Sequence, residues 1–94
     1  MNKIIVSGNL GADAKFVKSE KSNFISFQVA TGGDDPDWID CSMNVKGDED
    51  PKVLTHLKKG KKVLLTGKPY AKLMTGGEEP TAKQCMFVNN LELL

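Results

Sequence analysis

The sequence contains no arginine: all thirteen basic residues are lysine, and twelve acidic residues nearly balance them. Bidentate hydrogen bonding to guanine edges in duplex DNA favours the planar guanidinium group of arginine. Lysine neutralises phosphates as a point charge without reading bases. The net charge of +1 and the isoelectric point near 7.7 are low for a nucleic-acid-binding protein. This composition argues against sequence-specific recognition of duplex DNA, and any nucleic-acid binding should be weakly specific.

Residues that bind metals or form disulfides are also scarce, since the chain has two cysteines and one histidine. No metal-ligand spacing exists, so we expect neither a metal nor a cofactor. Cys41 and Cys85 both have the inward parity of their strands and are interpreted as small buried hydrophobic residues; a disulfide between them is the less favoured alternative. The acidic residues cluster in loops and no nucleophile–base pair is indicated, which argues against an enzyme.

Long apolar runs are missing as well. No stretch is long enough to cross a membrane, and Lys3 lies too near the start of the chain for a secretory signal peptide. We therefore expect a soluble, cytoplasmic protein with no membrane partner. With 94 residues and 39% hydrophobic content, residues 1–94 are expected to form a single domain around one core.

The segment from Asp37 to Lys46 has the clearest pattern in the chain. Apolar and polar residues alternate along it with a period of two, which is typical of a half-buried strand. Trp38, the only tryptophan, has the parity of the polar residues, so this large apolar side chain is predicted to face solvent. An exposed indole beside Lys46 offers a base a stacking surface and its phosphate a cation. Alternatively, Trp38 begins the strand and folds back over the rim of the fold.

Four further segments are typical of strands: residues 2–10, 24–31, 62–70 and 82–93. Residues 16–18 either continue the first strand or begin a hairpin. Gly8 lies inside the first strand and predicts a bend there. On the outer faces of the second and fourth strands we expect Phe24 and Tyr70, with Lys72 beside Tyr70. Phe24 is equally compatible with a contact to a base and with cover against a partner subunit.

One helix is predicted between the third and fourth strands. Asp50 and Pro51 are typical of a helix start, and Gly60 is typical of a helix end. The expected helix has about two turns, with Val53 and Leu57 on its buried side. Three strands, a short helix and two further strands is the order of the OB-fold, an all-β, five-stranded Greek-key barrel.

Several stretches resemble a known family, the bacterial single-stranded DNA-binding proteins and their phage relatives. Residues 2–13 (Asn-Lys-Ile-Ile-Val-Ser-Gly-Asn-Leu-Gly-Ala-Asp) are similar to the opening strand of that family. Residues 27–31 (Phe-Gln-Val-Ala-Thr) resemble its second strand and Asp37-Trp38 its third. Residues 57–60 (Leu-Lys-Lys-Gly) resemble the end of its helix. The resemblance covers nearly the whole chain and implies an OB-fold protein that binds single-stranded DNA.

The resemblance also implies a set of DNA-binding residues. Trp38 matches a stacking tryptophan of the family. The matching basic positions along the DNA path are Lys3, Lys46, Lys59 and Lys72. Tyr70 and Phe24 complete the expected interface.

Several positions depart from the family pattern. Asn44 and Met74 stand where the family has stacking aromatics, the short loop 32–36 lacks another, and Asp40 replaces an arginine. Each lost stack removes about 1–3 kcal/mol per base, so the affinity should be below that of a full member. The chain stops at residues 90–94, at the end of the last strand, so we expect no disordered acidic tail like that of the cellular members of the family. This places the sequence nearer to short plasmid, phage or mobile-element relatives, or to replication-restart OB proteins.

Two functions from different classes remain. The favoured one is a non-catalytic protein that coats single-stranded DNA through aromatic stacking and lysine–phosphate contacts. It should form a homodimer or homotetramer, because Ile4, Ile5 and Val6 make the first strand apolar on both faces.

The alternative is an OB-fold protein-interaction module with weak DNA affinity, such as a replication-restart accessory subunit. In either case, replication or repair proteins could dock on the barrel. RNA binding is less favoured, because no strand carries clustered surface aromatics.

Overall fold

The computed structural model describes residues 3–32, 34, 36–47, 51–75, 77 and 81–94. These described residues form six strands and one short 3₁₀ helix. In chain order these are β1 (Ile4–Leu10), β2 (Lys15–Lys18), β3 (Asn23–Thr31), β4 (Asp37–Val45), the 3₁₀ helix (Lys52–His56), β5 (Lys62–Met74) and β6 (Thr81–Leu93). The uncertain segment 16–18 therefore begins a hairpin: β2 pairs antiparallel with β3.

The six strands form one sheet in the order β1-β5-β6-β4-β3-β2, which β1 closes by also pairing with β3. Most of β1 pairs with β5, and its last residues, Asn9 and Leu10, pair with β3. A Cβ atom on Gly8 would lie 2.3 Å from the carbonyl oxygen of Ala30, so only glycine lets β1 cross so close to β3. This coiled first strand closes an all-β OB-fold barrel, as the sequence predicts.

Alternate residues of the strands fill the barrel interior. On β4, Ile39 and Cys41 are buried, and Met43 and Val45 pack against the core. Trp38 has the opposite parity and is exposed, so the alternation predicted for this strand is confirmed. The buried core consists of Leu10, Ile25, Phe27, Val29, Ile39, Cys41, Leu57, Val63, Leu65, Met86 and Val88.

The last strand contains a β-bulge that changes which of its residues face the core. Thr66 pairs with Asn90, but the next residue of β5, Gly67, pairs with Val88. Asn89 is therefore an extra residue in β6. Because a bulge inserts one residue into the period of two, the inward parity differs on its two sides.

This bulge makes the predicted orientation of Cys85 wrong. Leu91 packs against the core beyond the bulge, whereas Met86 is the inward residue before it. Cys85, next to Met86, lies on the outer face of the sheet and pairs with the outward residue Asp40. Cys41 faces the core as predicted, and burial raises the pKa of its thiol to about 12. Both cysteines are nevertheless buried, as predicted, and both are free thiols.

The helix is shorter and tighter than predicted. It is a 3₁₀ helix of five residues, preceded by Pro51 and ended by Leu57. Leu57 is fully buried, and its carbonyl accepts a hydrogen bond from the amide of Ala14 at 2.8 Å. The helix thus ends at the residue that bonds to the β1–β2 connection. Gly60 has a φ of 89°, but it lies in the following turn rather than at the helix end.

Two further sequence predictions concern the residue that caps the helix and the absence of a membrane-spanning segment. Asp50, the predicted helix cap, lies outside the described residues. Within the part of the chain that the structure describes, no helix is long and apolar enough to span a membrane.

Candidate nucleic-acid interface

Strand pairing arranges the outer face of β5, β6, β4 and β3 in rows that run across the sheet. In that strand order, one row consists of Tyr70, Cys85, Asp40 and Gln28. The adjacent row consists of Lys68, Phe87, Ser42 and Ser26. Neighbouring strands lie about 4.8 Å apart, so each row joins side chains from four distant parts of the sequence.

Two neighbouring grooves on this outer face share Asp40 in their lining. The larger one, here called the main groove, has a volume of about 420 Å³, and its lining includes Phe24, Tyr70, Lys72, Phe87 and Asp40. The smaller one, the side groove, has a volume of about 250 Å³, and its lining includes Asp13, Lys15, Gln28 and Asp40. Asp40 lines both grooves and therefore stands on the boundary between them.

A stacked aromatic pair lies along the main groove. The ring centroids of Tyr70 and Phe87 are 4.2 Å apart, and the ring planes meet at 19°. Tyr70 is 37% exposed and Phe87 is 50% exposed, so each ring has one protected and one open side. Such a pair is a flat, pre-oriented surface on which a base can stack.

The pKa of the Tyr70 hydroxyl is shifted by its neighbours on β6 and β4. Partial burial raises the pKa of Tyr70, and the neighbouring Cys85 raises it further through its charge and a hydrogen bond. A hydrogen bond to Ser42 acts against this shift. Tyr70 is therefore neutral at physiological pH and keeps its hydroxyl proton. The open face of its ring is then available for dispersion contacts without a negative charge that would repel phosphate.

Asp40 is held by two partners from the neighbouring strands. Gln28 Nε2 donates a hydrogen bond to Asp40 Oδ1 at 2.7 Å, and Lys83 Nζ lies 2.7 Å from Oδ2. Partial burial tends to raise the pKa of Asp40, but the bonds from Lys83 and Gln28 and the charges of Lys83 and Lys72 outweigh it, so the pKa is lowered. Asp40 is thus ionised, and Lys83 neutralises it.

Trp38 combines the two arrangements that the sequence left open. It faces outwards and is 48% exposed. Its ring also covers the backbone at the end of β1: a Cβ atom on Gly11 would lie 2.4 Å from the ring atom Cζ3. Trp38 lines neither the main groove nor the side groove. The indole is therefore seated on the rim with one face open, away from the other aromatics.

The predicted lysines are dispersed over the surface. Lys72 lines the main groove. Lys46 is exposed just beyond the end of β4, and Lys3 is exposed just before β1. Lys59 lies in the turn after the 3₁₀ helix, where its amide donates to Asp13 Oδ1 at 2.8 Å. The structure therefore brings Phe24, Tyr70 and Lys72 together, but not Lys3, Lys46, Lys59 or Trp38.

Sequence reasoning missed Phe87 and Lys83. If Cys85 is assigned to the inner face, the period of two assigns Phe87 to the inner face as well. Only the bulge at Asn89 puts both side chains on the outer face. No single strand carries the surface aromatic cluster, as predicted, but Phe24, Tyr70 and Phe87 from three different strands line one groove. No pattern within one strand could have indicated it.

Comparisons with known proteins agree with this fold. Matching the sequence against models of protein families gives no result, and matching it against curated proteins gives none either. Among solved structures, the chain is similar to the SSB of Plasmodium falciparum in its complex with ssDNA, with a TM-score of 0.73. The two are 17% identical, and the similarity covers 100% of this chain and 95% of that one. At this identity the comparison shows a shared OB-fold and nothing finer.

Proposed function

We propose that this protein binds single-stranded DNA without catalysing a reaction, and that the main groove holds the strand. The observation that carries the proposal is the stacked, half-exposed pair Tyr70–Phe87 in a groove that Lys72 also lines. Aromatic surfaces for bases beside cations for phosphates are what single-strand binding requires. The shared fold with an SSB supports the same function.

The Tyr70–Phe87 pair also offsets the loss of stacking side chains relative to the bacterial and phage proteins that the sequence resembles. Asn44 lines the main groove where those proteins have an aromatic side chain. Phe87 supplies an exposed ring in the same groove. We therefore propose that the chain is a relative of those proteins with a rearranged set of stacking residues. Phe24 would contact a further base from the opposite side of the groove.

The other predicted site residues receive secondary roles in this proposal. Trp38 offers its open indole face to a nucleotide that leaves the grooves along β4. Lys46, Lys59 and Lys3 are exposed and attract phosphates without lining the main groove. Their contribution is long-range and depends on salt, because exposed charges are screened within about 8 Å at physiological ionic strength.

We also propose that the protein forms a homodimer or homotetramer through β1. One edge of residues 4–8 pairs with β5, and within the described residues no strand pairs with the other edge. Ile5 is 72% exposed on this strand. An unpaired apolar edge is normally covered, and a second copy of β1 would cover it. Light scattering at micromolar concentration should give the mass of a dimer or tetramer; a monomer mass would contradict the proposal.

A protein-interaction module is the second candidate function. It is favoured by the net charge of +1 and by the neutralisation of Lys83 by Asp40 inside the binding face. In that case a replication or repair protein docks on the barrel and DNA binds weakly. RNA binding also regains support, because the aromatic cluster that it uses is present after all.

Fluorescence anisotropy with labelled oligo-dT, the matching RNA and a duplex of the same sequence separates these functions. We expect binding in the order DNA single strand, RNA single strand, duplex. If about three to five lysines contact phosphates, the logarithm of the association constant should fall against the logarithm of salt with a slope of about −2 to −3.5. Absence of oligo-dT binding at low salt would contradict the proposal and favour the protein-interaction module.

A further inference from the structure

Among the described residues, Asp40 is the only acidic one that lines the main groove, and its carboxylate is fixed in place. Oδ1 accepts from Gln28 and Oδ2 pairs with Lys83, each at 2.7 Å. A carboxylate has about four acceptor positions, so each oxygen keeps the capacity for one further hydrogen bond. The side chain of Asp40 remains 33% exposed. The groove therefore contains two adjacent, oriented acceptors with a lysine ammonium beside them.

The row across the sheet places these acceptors next to the aromatic pair. Cys85 separates Tyr70 from Asp40, and it is small and only 4% exposed. The floor between the aromatic pair and the carboxylate is therefore low. A base that stacks on Tyr70 and lies above Cys85 directs an edge towards Asp40.

Bases in a single strand present the edge that pairs in a duplex, and proteins read it through hydrogen bonds. On that edge guanine has two adjacent donors, N1–H and the N2 amino group. Cytosine and adenine have one amino donor beside an acceptor, and thymine has one N–H between two carbonyls. Two adjacent acceptors match guanine best, and the ammonium group of Lys83 can donate to its O6.

We propose that Asp40, oriented by Gln28 and Lys83, reads the edge of one unpaired guanine, so that the main groove prefers guanine at one position of a bound strand. This inference rests on the proposed binding of single-stranded DNA and adds a base preference to it. It is independent of arginine, which the chain lacks.

The test compares labelled octamers of thymidine in which one central base is unchanged, replaced by guanine, or replaced by hypoxanthine, which lacks only the N2 amino group. Anisotropy should show that the guanine strand binds about five- to tenfold more tightly than the all-thymidine strand. The hypoxanthine strand should lose most of that gain. Equal affinities for all three strands would overturn the inference and leave the proposed function intact. Failure of every strand to bind would contradict the proposed function itself.

Two variants test whether Asp40 is the residue that gives the preference for guanine. Asp40→Asn keeps the shape but replaces one acceptor oxygen with a donor and removes the charge. The ratio of its affinities for the guanine strand and the all-thymidine strand should fall to about one, because the oriented pair of acceptors is lost. Asp37→Asn makes the same charge change at the exposed start of β4, outside both grooves, and should keep the preference. A preference retained in folded Asp40→Asn would overturn the inference; if that variant does not fold, the hypoxanthine strand decides.

Discussion

The outer face has aromatic side chains at two places, and they differ in how they are supported. Tyr70 and Phe87 stack on each other in the main groove, which Lys72 also lines. Trp38 stands alone on the rim, with its ring over the backbone of Gly11. Their exposures are similar, at 37%, 50% and 48%. Exposure therefore does not distinguish a stacking site from a rim residue; the neighbours that hold the ring and supply a cation do.

The energetic reason is pre-organisation. A ring that is already held by its partner loses little freedom when a base stacks on it, whereas a lone side chain pays this cost on binding. The pair also lies beside Phe24 across the same groove. We therefore expect the aromatic pair to contribute more to DNA binding than Trp38, and the following changes test this ranking.

The largest effect is expected for Tyr70→Ala and Phe87→Ala. Each should weaken binding to oligo-dT by about 1–3 kcal/mol, because each removes a ring on which a base stacks. The double variant should lose less than the sum, since either single change already breaks the stacked pair. Anisotropy gives the affinities. Phe16→Ala, which removes an aromatic ring on β2 outside both grooves, is the control; an equal loss in that variant would argue against a specific role for the pair.

A smaller loss is expected for Trp38→Ala. One face of its indole is occupied by Gly11 and the ring lies outside both grooves, so binding should weaken by about 1 kcal/mol or less. The same titration measures it, with circular dichroism to show that the barrel is intact. A loss greater than that of Tyr70→Ala would reverse the ranking and make Trp38 the principal stacking residue.

Gly11→Ala should remove the support that holds the Trp38 ring on the rim. The added methyl group would meet the indole at 2.4 Å, so the ring must leave its position on the rim. Trp38 emission should shift to longer wavelength, and the free energy of unfolding should fall by about 1 kcal/mol. Ala12→Ser, a neighbouring exposed change, should leave the emission unchanged. An unshifted spectrum in Gly11→Ala would show that the ring is not held as described.

The smallest effect is expected when the pH is lowered and the Tm is measured. The pKa of Asp40 in the folded protein is below its ordinary value of 3.8, so its ionised form stabilises the fold. This stabilisation is present above about pH 5 and is lost as the pH falls through the folded-state pKa. The difference in Tm between the unaltered protein and Asp40→Asn should therefore shrink below about pH 4. Lys83→Met, which removes the other partner, should show the same reduced dependence. A constant difference down to pH 3 would exclude the ion pair as its source.

Local patterns in the sequence determined much of this protein. A period of two along β4 placed Ile39 and Cys41 inside and Trp38 outside, because alternate side chains of a strand point to opposite faces. The order of the segments indicated the OB-fold, and Gly8 predicted a bend in β1, which the structure shows to be the point of close approach to β3. The roles of Trp38 and of the predicted lysines in DNA binding stay predictions.

Only the tertiary structure decided which of the outward side chains meet. The bulge at Asn89 arises from the pairing of β5 with β6, and it turned Cys85 and Phe87 outwards against the pattern read from the last strand. The ion pair of Asp40 with Lys83 joins residues on β4 and β6 that are far apart in sequence. Periodicity reports the face of one strand, whereas the register between strands depends on contacts across the whole barrel. The proposed binding face of this protein is made of such contacts.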